Sequence, residues 1–295
     1  MPSRSHQLAA ALLKATRRSS QFADEASLKR GIAKRRPHEK DHPGFGIGRR
    51  VEVSRHDNTP FPVFTFKPKQ GTPTGNLIFS HGGAYTYQLL SVHWQFAAWA
   101  AQELQCTVHV PVYPLAPEHS WRDTYPTLLK LYGELSGNGP LWLAGDSAGG
   151  GMSLALAQLA ATEGLAAPDA IVLISPWLDA TLDGEEVRRL ERRDVMLSVD
   201  GLLAAGRMWA GDDDPARFEV SPTNGKLEGL PRTLVLTGTA DLLNVDARSF
   251  AAKARAAKVD LEFIEEEGLA HDYVLFPIPE GRRARTQIAA FLREA

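Results

Sequence analysis

The heptapeptide Gly-Asp-Ser-Ala-Gly-Gly-Gly at residues 145–151 constrains the fold of this chain more than any other segment. It follows the apolar run Leu141–Ala144 and precedes a helix-favouring stretch, so the pattern predicts a strand, a sharp turn and a helix with Ser147 at the apex. Glycines on both sides of Ser147 permit a strained turn without Cβ clashes, and the helix N-terminus would lie beneath the hydroxyl. A serine held in this way is typical of a nucleophile. The same pattern occurs by chance in glycine-rich loops, so its interpretation depends on the rest of the chain.

A second turn of small residues lies upstream, where the apolar strand Asn76–Ser80 runs into His-Gly-Gly-Ala-Tyr. Consecutive residues with little side chain let backbone N–H groups converge on one point, as an oxyanion hole requires. We expect the oxyanion-hole residues to be Gly82, Gly83, Ala84 and, directly after the serine, Ala148. The alternative is an ordinary glycine turn after a strand.

An acidic partner for the serine is predicted at Asp241, just past the apolar strand 233–238. Asp246 is the alternative. It falls at the start of the helical pattern 247–257, where an acidic residue commonly interacts with the helix N-terminus.

A general base is predicted at His271, which follows the last strand pattern, 260–265. The order serine, acid, histidine, each after a strand, is that of hydrolases with a nucleophile elbow. Of the nine histidines, only His271 follows both Ser147 and Asp241. Those outside the motifs and before the elbow, the first four in the polar N-terminal stretch, are His6, His38, His42, His56, His93, His109 and His119.

Strand and helix patterns alternate between the motifs, which predicts an α/β fold with a mostly parallel sheet covered by helices on both faces. Residues 50–55 and 61–66 alternate like a hairpin at the sheet edge. We predict a single domain over residues 1–295.

Two segments outside this alternation are predicted to form a small helical cap, at about 1–40 and 180–225. Apolar residues in the basic stretch 1–36 recur at helical spacing, although a targeting segment or a nucleic-acid arm is the alternative there. The second segment combines a charged stretch, 183–194, with a helical pattern at 199–209. A polar linker is predicted at 38–48.

The ordered motifs resemble the hormone-sensitive-lipase family of α/β-hydrolases, the bacterial family IV carboxylesterases. The family's His-Gly-Gly-Gly is represented by residues 81–84, its Tyr-x-Leu-Ala-Pro-Glu by 113–118 and its Gly-Asp-Ser-Ala-Gly-Gly by 145–150. The resemblance runs from about Leu77 to Phe276. It implies an α/β-hydrolase fold and a serine carboxylesterase with the triad Ser147, Asp241 and His271, acting without a cofactor.

The chain departs from the family at Ala84, which stands where the family has its third glycine. The resemblance implies that the N–H groups of Gly83 and Ala84 are the loop's oxyanion donors. We expect the hole to survive if the backbone does not need a positive φ at Ala84, and we expect its methyl group to narrow the acyl side of the pocket.

Aromatic residues near the motifs are predicted to line a pocket for small or aryl esters, although each could equally be plain core. These candidate substrate-binding residues are Tyr85, Trp94, Trp177, Trp209 and Tyr273. Since no long apolar lid run is present, we expect short acyl chains rather than long triglycerides. The alternative function is non-catalytic binding of a small molecule on the same scaffold, as in the plant gibberellin receptors, which resemble this family but lack the histidine. A trypsin-like protease is excluded by chain order.

Composition limits the classes of binding partner and the compartment that we expect for this protein. The net charge of −2 does not favour nucleic acid or stable membrane association, so a small-molecule ester is the expected partner. The single cysteine, Cys106, excludes an intrachain disulfide, and no stretch approaches the ~20 apolar residues of a membrane span, so we expect a cytoplasmic protein. Asp212, Asp213 and Asp214 are interpreted as a solvated turn, and no metal is predicted. The resemblance allows a homodimer through the last strand and helix 282–294.

Overall fold

The computed structural model describes residues 2–15, 22–35, 41–44, 46–182 and 184–295. Parts of the predicted cap (1, 16–21 and 36–40), part of the predicted linker (38–40 and 45) and the first residue of the predicted charged stretch, 183, lie outside the described residues. In the described ranges, no helix combines the length and the apolar character needed to cross a bilayer.

The centre of the molecule is an eight-stranded sheet in the order β1-β2-β4-β3-β5-β6-β7-β8. The strands are β1 (Val51–His56), β2 (Val63–Pro68), β3 (Asn76–Ser80), β4 (Thr107–Pro111), β5 (Leu141–Asp146), β6 (Ala170–Ile174), β7 (Arg232–Gly238) and β8 (Leu261–Glu266). The pairs β1–β2 and β2–β4 are antiparallel and all other pairs are parallel. The predicted mostly parallel sheet with an edge hairpin is therefore confirmed.

Helices precede the sheet and connect its strands. They are α1 (Arg4–Ala15), α2 (Glu25–Ile32), α3 (Ser91–Leu104), α4 (Trp121–Leu135), α5 (Ala148–Thr162), α6 (Glu185–Glu191), α7 (Val199–Ala210), α8 (Asn244–Ala256) and α9 (Pro279–Arg293). The apolar residues of the sheet alternate between two layers: in β6, Ile171 and Leu173 belong to one buried cluster, and Val172 and Ile174 belong to the other. This period of two explains why the central strands appear in the sequence as continuous apolar runs.

The turn from β5 into α5 brings backbone against backbone. A Cβ atom on Gly149 would lie 2.0 Å from the carbonyl oxygen of Ser80 at the end of β3, and one on Gly145 would lie 2.1 Å from the carbonyl oxygen of Gly149. Only glycine allows α5 to start this close to the sheet. The end of β3 is thereby held beside the start of α5.

The two predicted cap segments meet in the described part of the chain. Helix α2 packs on α7, and a Cβ atom on Gly201 of α7 would lie 1.9 Å from the carbonyl oxygen of Phe22. The Ser198 hydroxyl also donates a hydrogen bond to that carbonyl oxygen. Residues 22–35 are therefore attached to the insertion that follows β6.

Helix α1 lies elsewhere, against the region that follows β8. The Ser3 N–H and hydroxyl donate to the two carboxylate oxygens of Glu280 in α9, at 2.6 and 2.9 Å. His6 is buried, although it lies in a polar stretch of the sequence.

The acidic turn at 212–214 is tied into the protein by arginine. Asp213 accepts hydrogen bonds from Arg122 at 2.8 Å and from Arg217 at 2.9 Å. Across the described ranges, no group of three or more His, Cys, Asp or Glu side chains is arranged to hold a metal ion.

The glycine contact predicts opposite effects of the same substitution at two helical positions. Gly149→Ala should lower the free energy of unfolding by about 3 kcal/mol, because its methyl group would overlap the Ser80 carbonyl oxygen. Gly133→Ala in α4 should raise it by about 0.5–1 kcal/mol, because no neighbouring atom lies within 4 Å of a Cβ there and alanine is the better helix former. Urea unfolding of both variants measures this, and equal stabilities would contradict the close-contact argument.

Candidate active site

Ser147 occupies a strained elbow at the N-terminus of α5. Its φ of 52° and ψ of −121° lie outside the region that ordinary residues adopt. The conformation is held from both sides: the Ser147 N–H donates to the Ile174 carbonyl at 2.9 Å, and its own carbonyl accepts from the N–H of Trp177 at 2.9 Å. The elbow therefore presents the hydroxyl at the floor of a cavity that Ser147 helps to line.

His271 and Asp241 lie together as the sequence predicts. The His271 Nδ1 atom is 2.9 Å from Asp241 Oδ2, and both side chains are buried. The other oxygen of Asp241 accepts the Leu243 N–H at 2.9 Å, which orients the carboxylate. Asp246, the alternative acid, instead accepts the Asp179 N–H at 3.3 Å.

A second carboxylate, missed by the sequence analysis, flanks the other ring nitrogen. His271 Nε2 lies 3.1 Å from Asp272 Oδ2, while no hydrogen bond joins it to the Ser147 hydroxyl, both residues being fully described. The left-handed φ of 55° at Asp272 turns this neighbouring side chain back onto the imidazole.

The two carboxylates control the charge of the imidazole. Burial alone would lower the pKa of His271, but Asp241 and Asp272 outweigh it and raise that pKa well above its ordinary value. Burial in turn raises the pKa of Asp272 to about 6. The resting site therefore favours a protonated imidazole whose Nε2–H faces the Asp272 carboxylate.

The oxyanion loop is anchored through Gly82, which changes the donor set that we expected. The Gly82 N–H donates to Asp146 Oδ2 at 3.0 Å, and the same oxygen lies 3.2 Å from His93 Nε2. This N–H is thus committed to holding the loop and is not free to bind an oxyanion. Gly83, Ala84 and Ala148 remain as candidate donors, and Asp146 and His93 position the loop.

The backbone at the substituted position is left-handed, so the condition attached to Ala84 is not met. Ala84 has φ 51° and is followed by Tyr85 at φ 58°. A left-handed alanine costs about 1–2 kcal/mol relative to its ordinary conformation. The close approach of Gly83 to the Tyr87 carbonyl oxygen, 2.6 Å from a Cβ built there, helps to impose this path. The alanine N–H is retained at the expense of local strain.

A cavity of about 390 Å³ opens above Ser147. Its apolar wall comes mainly from the cap segments and from the residues after the oxyanion loop: Phe22, Tyr87, Leu90, Met196 and Leu197. Its polar floor contains Asp146, Ser147, His271 and Asp272. The cavity is therefore apolar at the walls and charged at its base.

The five aromatic residues predicted to bind substrate are not in the lining of this cavity. All five are buried in the cores, with Tyr85 stacked on Trp209 at a centroid distance of 4.4 Å and Trp94 packed against Phe64 at 5.1 Å. Trp177 packs near Tyr85 at 5.6 Å, and Tyr273 belongs to the second core cluster. Proximity to a motif in sequence does not indicate on which side of the sheet a side chain lies, and the structure places these five side chains in the core, the alternative stated for each. Tyr87 and Leu90, just past the loop, were the available signal.

Arg35 connects the cap to the loops around the site. Its guanidinium donates to the carbonyl oxygens of Thr86 and Ala116, each at 2.7 Å, and pairs with Glu118. Thr86 lies just after the oxyanion loop, so Arg35 joins residues 22–35 to it.

Comparisons with known proteins agree with this geometry. Residues 77–275 match a protein family whose description is the α/β-hydrolase fold. An esterase of Acinetobacter venetianus is 32% identical over 229 residues, which cover 75% of this chain and 76% of that protein. An acetyl-hydrolase of Streptomyces hygroscopicus is 30% identical over 225 residues, which cover 74% of this chain and 75% of that protein. The crystal structure of an esterase from the bacterial hormone-sensitive lipase family has a TM-score of 0.81 at 22% identity, covering 100% of this chain and 99% of that one, and so shares the fold.

The position of Asp272 predicts a shift in the titration of His271. Asp272→Asn should lower the pKa of the His271 imidazole, because it removes one of the two carboxylates that favour the protonated ring. The titration is followed by NMR of the ring protons. Asp57→Asn, at an exposed carboxylate paired with Arg55, is the control and should leave the His271 titration unchanged. An unshifted titration in Asp272→Asn would show that Asp272 does not act on the ring.

Proposed function

Because this chain belongs to the α/β-hydrolase fold family, we propose that it is a hormone-sensitive-lipase-like carboxylesterase, which hydrolyses short-chain or aryl carboxylic esters through an acyl-enzyme on Ser147. The main support is the strained elbow that presents Ser147 to a cavity shared with His271, whose Nδ1 is held by Asp241. In this proposal Ser147 is the nucleophile, His271 the general base and Asp241 the group that orients the base.

Acylation begins with attack of the Ser147 oxygen on the ester carbonyl carbon while His271 Nε2 takes the hydroxyl proton. Asp241 holds the proton on Nδ1, so that Nε2 is the nitrogen available to the serine, and it stabilises the imidazolium that forms. The tetrahedral intermediate then expels the alcohol, which leaves with the proton carried by His271. Water attacks the acyl-enzyme with His271 again as base, releasing the acid and restoring Ser147.

Before the first step, His271 must leave its resting contact and pass its Nε2 proton to the Asp272 carboxylate or to water, so that Nε2 can act as a base. Nε2 faces Asp272 at 3.1 Å. The proposal requires a rotation of the ring or of the neighbouring carboxylate that brings Nε2 to the Ser147 hydroxyl. Catalytic hydrogen bonds are commonly loose without substrate and tighten in the reactive complex.

In this proposal, the N–H groups of Gly83, Ala84 and Ala148 stabilise the negative charge that develops on the carbonyl oxygen. Each such donor contributes roughly 2.7–4 kcal/mol to the lowering of the barrier. Gly82 supports them indirectly through its bond to Asp146.

The size and walls of the cavity support a small substrate. About 390 Å³ lies at the low end of the volumes of small-molecule sites, and its walls are mostly apolar. Phe22 and Tyr87, whose ring centroids are 5.3 Å apart, form an aromatic wall that suits an acyl or aryl group.

Removal of the nucleophile should abolish hydrolysis. For p-nitrophenyl acetate and butyrate, Ser147→Ala should reduce kcat by roughly 10⁴-fold or more, because the residues of a triad act as a unit. Activity of the unaltered protein should fall from butyryl to dodecanoyl esters. Ser54→Ala, an exposed serine on β1, is the matched control and should retain full activity.

A fluorophosphonate probe with mass spectrometry adds an independent measurement. One label should attach to Ser147 in the unaltered protein and none in Ser147→Ala. A folded protein that hydrolyses no ester and takes no label would overturn the esterase proposal and favour non-catalytic ligand binding. Full activity in Ser147→Ala would exclude Ser147 as the nucleophile.

A further inference from the structure

We propose that His6, on the N-terminal helix α1, is a positioning residue for His271: its unprotonated Nε2 accepts the Ala270 N–H and holds the loop that carries the general base. The inference rests on the proposed role of His271.

The contact joins parts of the chain that are remote in sequence. The Ala270 N–H donates to His6 Nε2 at 3.0 Å across a sequence separation of 264 residues. Both residues are buried, so water cannot readily replace the acceptor, and a buried N–H without a partner destabilises the fold. His6 therefore provides the hydrogen-bond acceptor for the Ala270 N–H.

The loop around His271 is held from both sides by side chains. The amide that precedes His271 donates to His6, and the amide that follows it, that of Asp272, donates to Ser175 Oγ at 3.1 Å. The residues on both sides of His271 are thus hydrogen-bonded to side-chain acceptors. A third contact, from the Ala240 N–H to the Leu269 carbonyl at 3.0 Å, ties the loop to the end of β7.

Helix α1 is fastened to this region at more than one point. Ser3 binds Glu280 through both its N–H and its hydroxyl. The Pro2 ring lies against the loop's first turn, since a Cβ atom on Gly268 would be 3.0 Å from Pro2 Cγ. His6 is therefore presented to Ala270 by an anchored helix, which gives the first residues of the chain a function other than covering the cavity.

The protonation state of His6 fits the role of an acceptor. Burial lowers the pKa of His6, against the opposing effect of the Glu280 carboxylate, the charged group that acts on the ring. At neutral pH the ring is neutral, with its proton on Nδ1 and its lone pair on Nε2. Protonation in acid would convert Nε2 to a donor facing another donor and break the contact.

The catalytic consequence follows from geometry. His271 must pass between Asp272 and Ser147 without losing Asp241, and a displacement of about 1 Å in such a group can cost up to 10²-fold in rate. Loss of the His6 acceptor should therefore affect kcat, whereas substrate binding in a cavity that His6 does not line should change little.

Two substitutions at His6 separate the acceptor from the packing. His6→Leu fills the space without an acceptor and should lower kcat for p-nitrophenyl butyrate about 10- to 100-fold with KM nearly unchanged. His6→Gln places an amide oxygen the same number of bonds from Cα as Nε2 and should restore most of the kcat. The control is His109→Leu, at another buried histidine, which is hydrogen-bonded to Asn76 on the sheet. This variant should be less stable, but its kcat, measured well below its melting temperature, should equal that of the unaltered protein.

Amide hydrogen exchange at Ala270 tests the bond apart from any activity. The Ala270 N–H should be protected in the unaltered protein and in His6→Gln, and should exchange faster in His6→Leu. If the esterase proposal fails, this pattern still reports on the contact. Unchanged exchange and kcat in folded His6→Leu would overturn the inference, as would a His6→Gln variant as slow as His6→Leu.

Discussion

The site depends on one backbone contact, the approach of α5 to the end of β3. Gly149 lies so close to the Ser80 carbonyl oxygen that no side chain fits between them. This contact brings the loop that begins at His81 beside the elbow, where Asp146 can accept the Gly82 N–H. The nucleophile and the candidate oxyanion donors are thereby placed relative to each other by main-chain packing, which is stiffer than contact between flexible side chains.

Much of the architecture could be predicted from local patterns. Strand β3 begins and ends where the sequence pattern places it, and helix α5 follows Ser147 as predicted, because apolar runs, glycines and helix formers act over a few residues. The meeting of Asp241 with His271 follows from chain order, since parallel strands deliver their C-terminal ends to one edge of the sheet. The α/β fold and the family are confirmed, while the roles of the triad residues stay predictions that the geometry supports.

The remainder depended on long-range contacts or on backbone twist. His6 is buried where it contacts Ala270, which is 264 residues away, and no local sequence pattern predicts this contact. Asp272 reaches the ring of its own neighbour only because its backbone is left-handed, and Ala84 is left-handed despite having a side chain. The environment of the aromatic residues near the motifs stayed open between cavity and core because sequence proximity does not distinguish the cavity side of a strand end from its core side.

Arg35 connects residues 22–35 to the loops around the site, so the two parts are coupled thermodynamically. Residues 22–35 cannot withdraw from the cavity without releasing the Thr86 and Ala116 carbonyl oxygens. Opening of the entrance and order in the segment after the oxyanion loop are thus linked equilibria, and linkage is reciprocal. A bound ester that makes that segment more rigid therefore favours the closed arrangement of residues 22–35 by the same free energy by which the closed arrangement favours the bound ester.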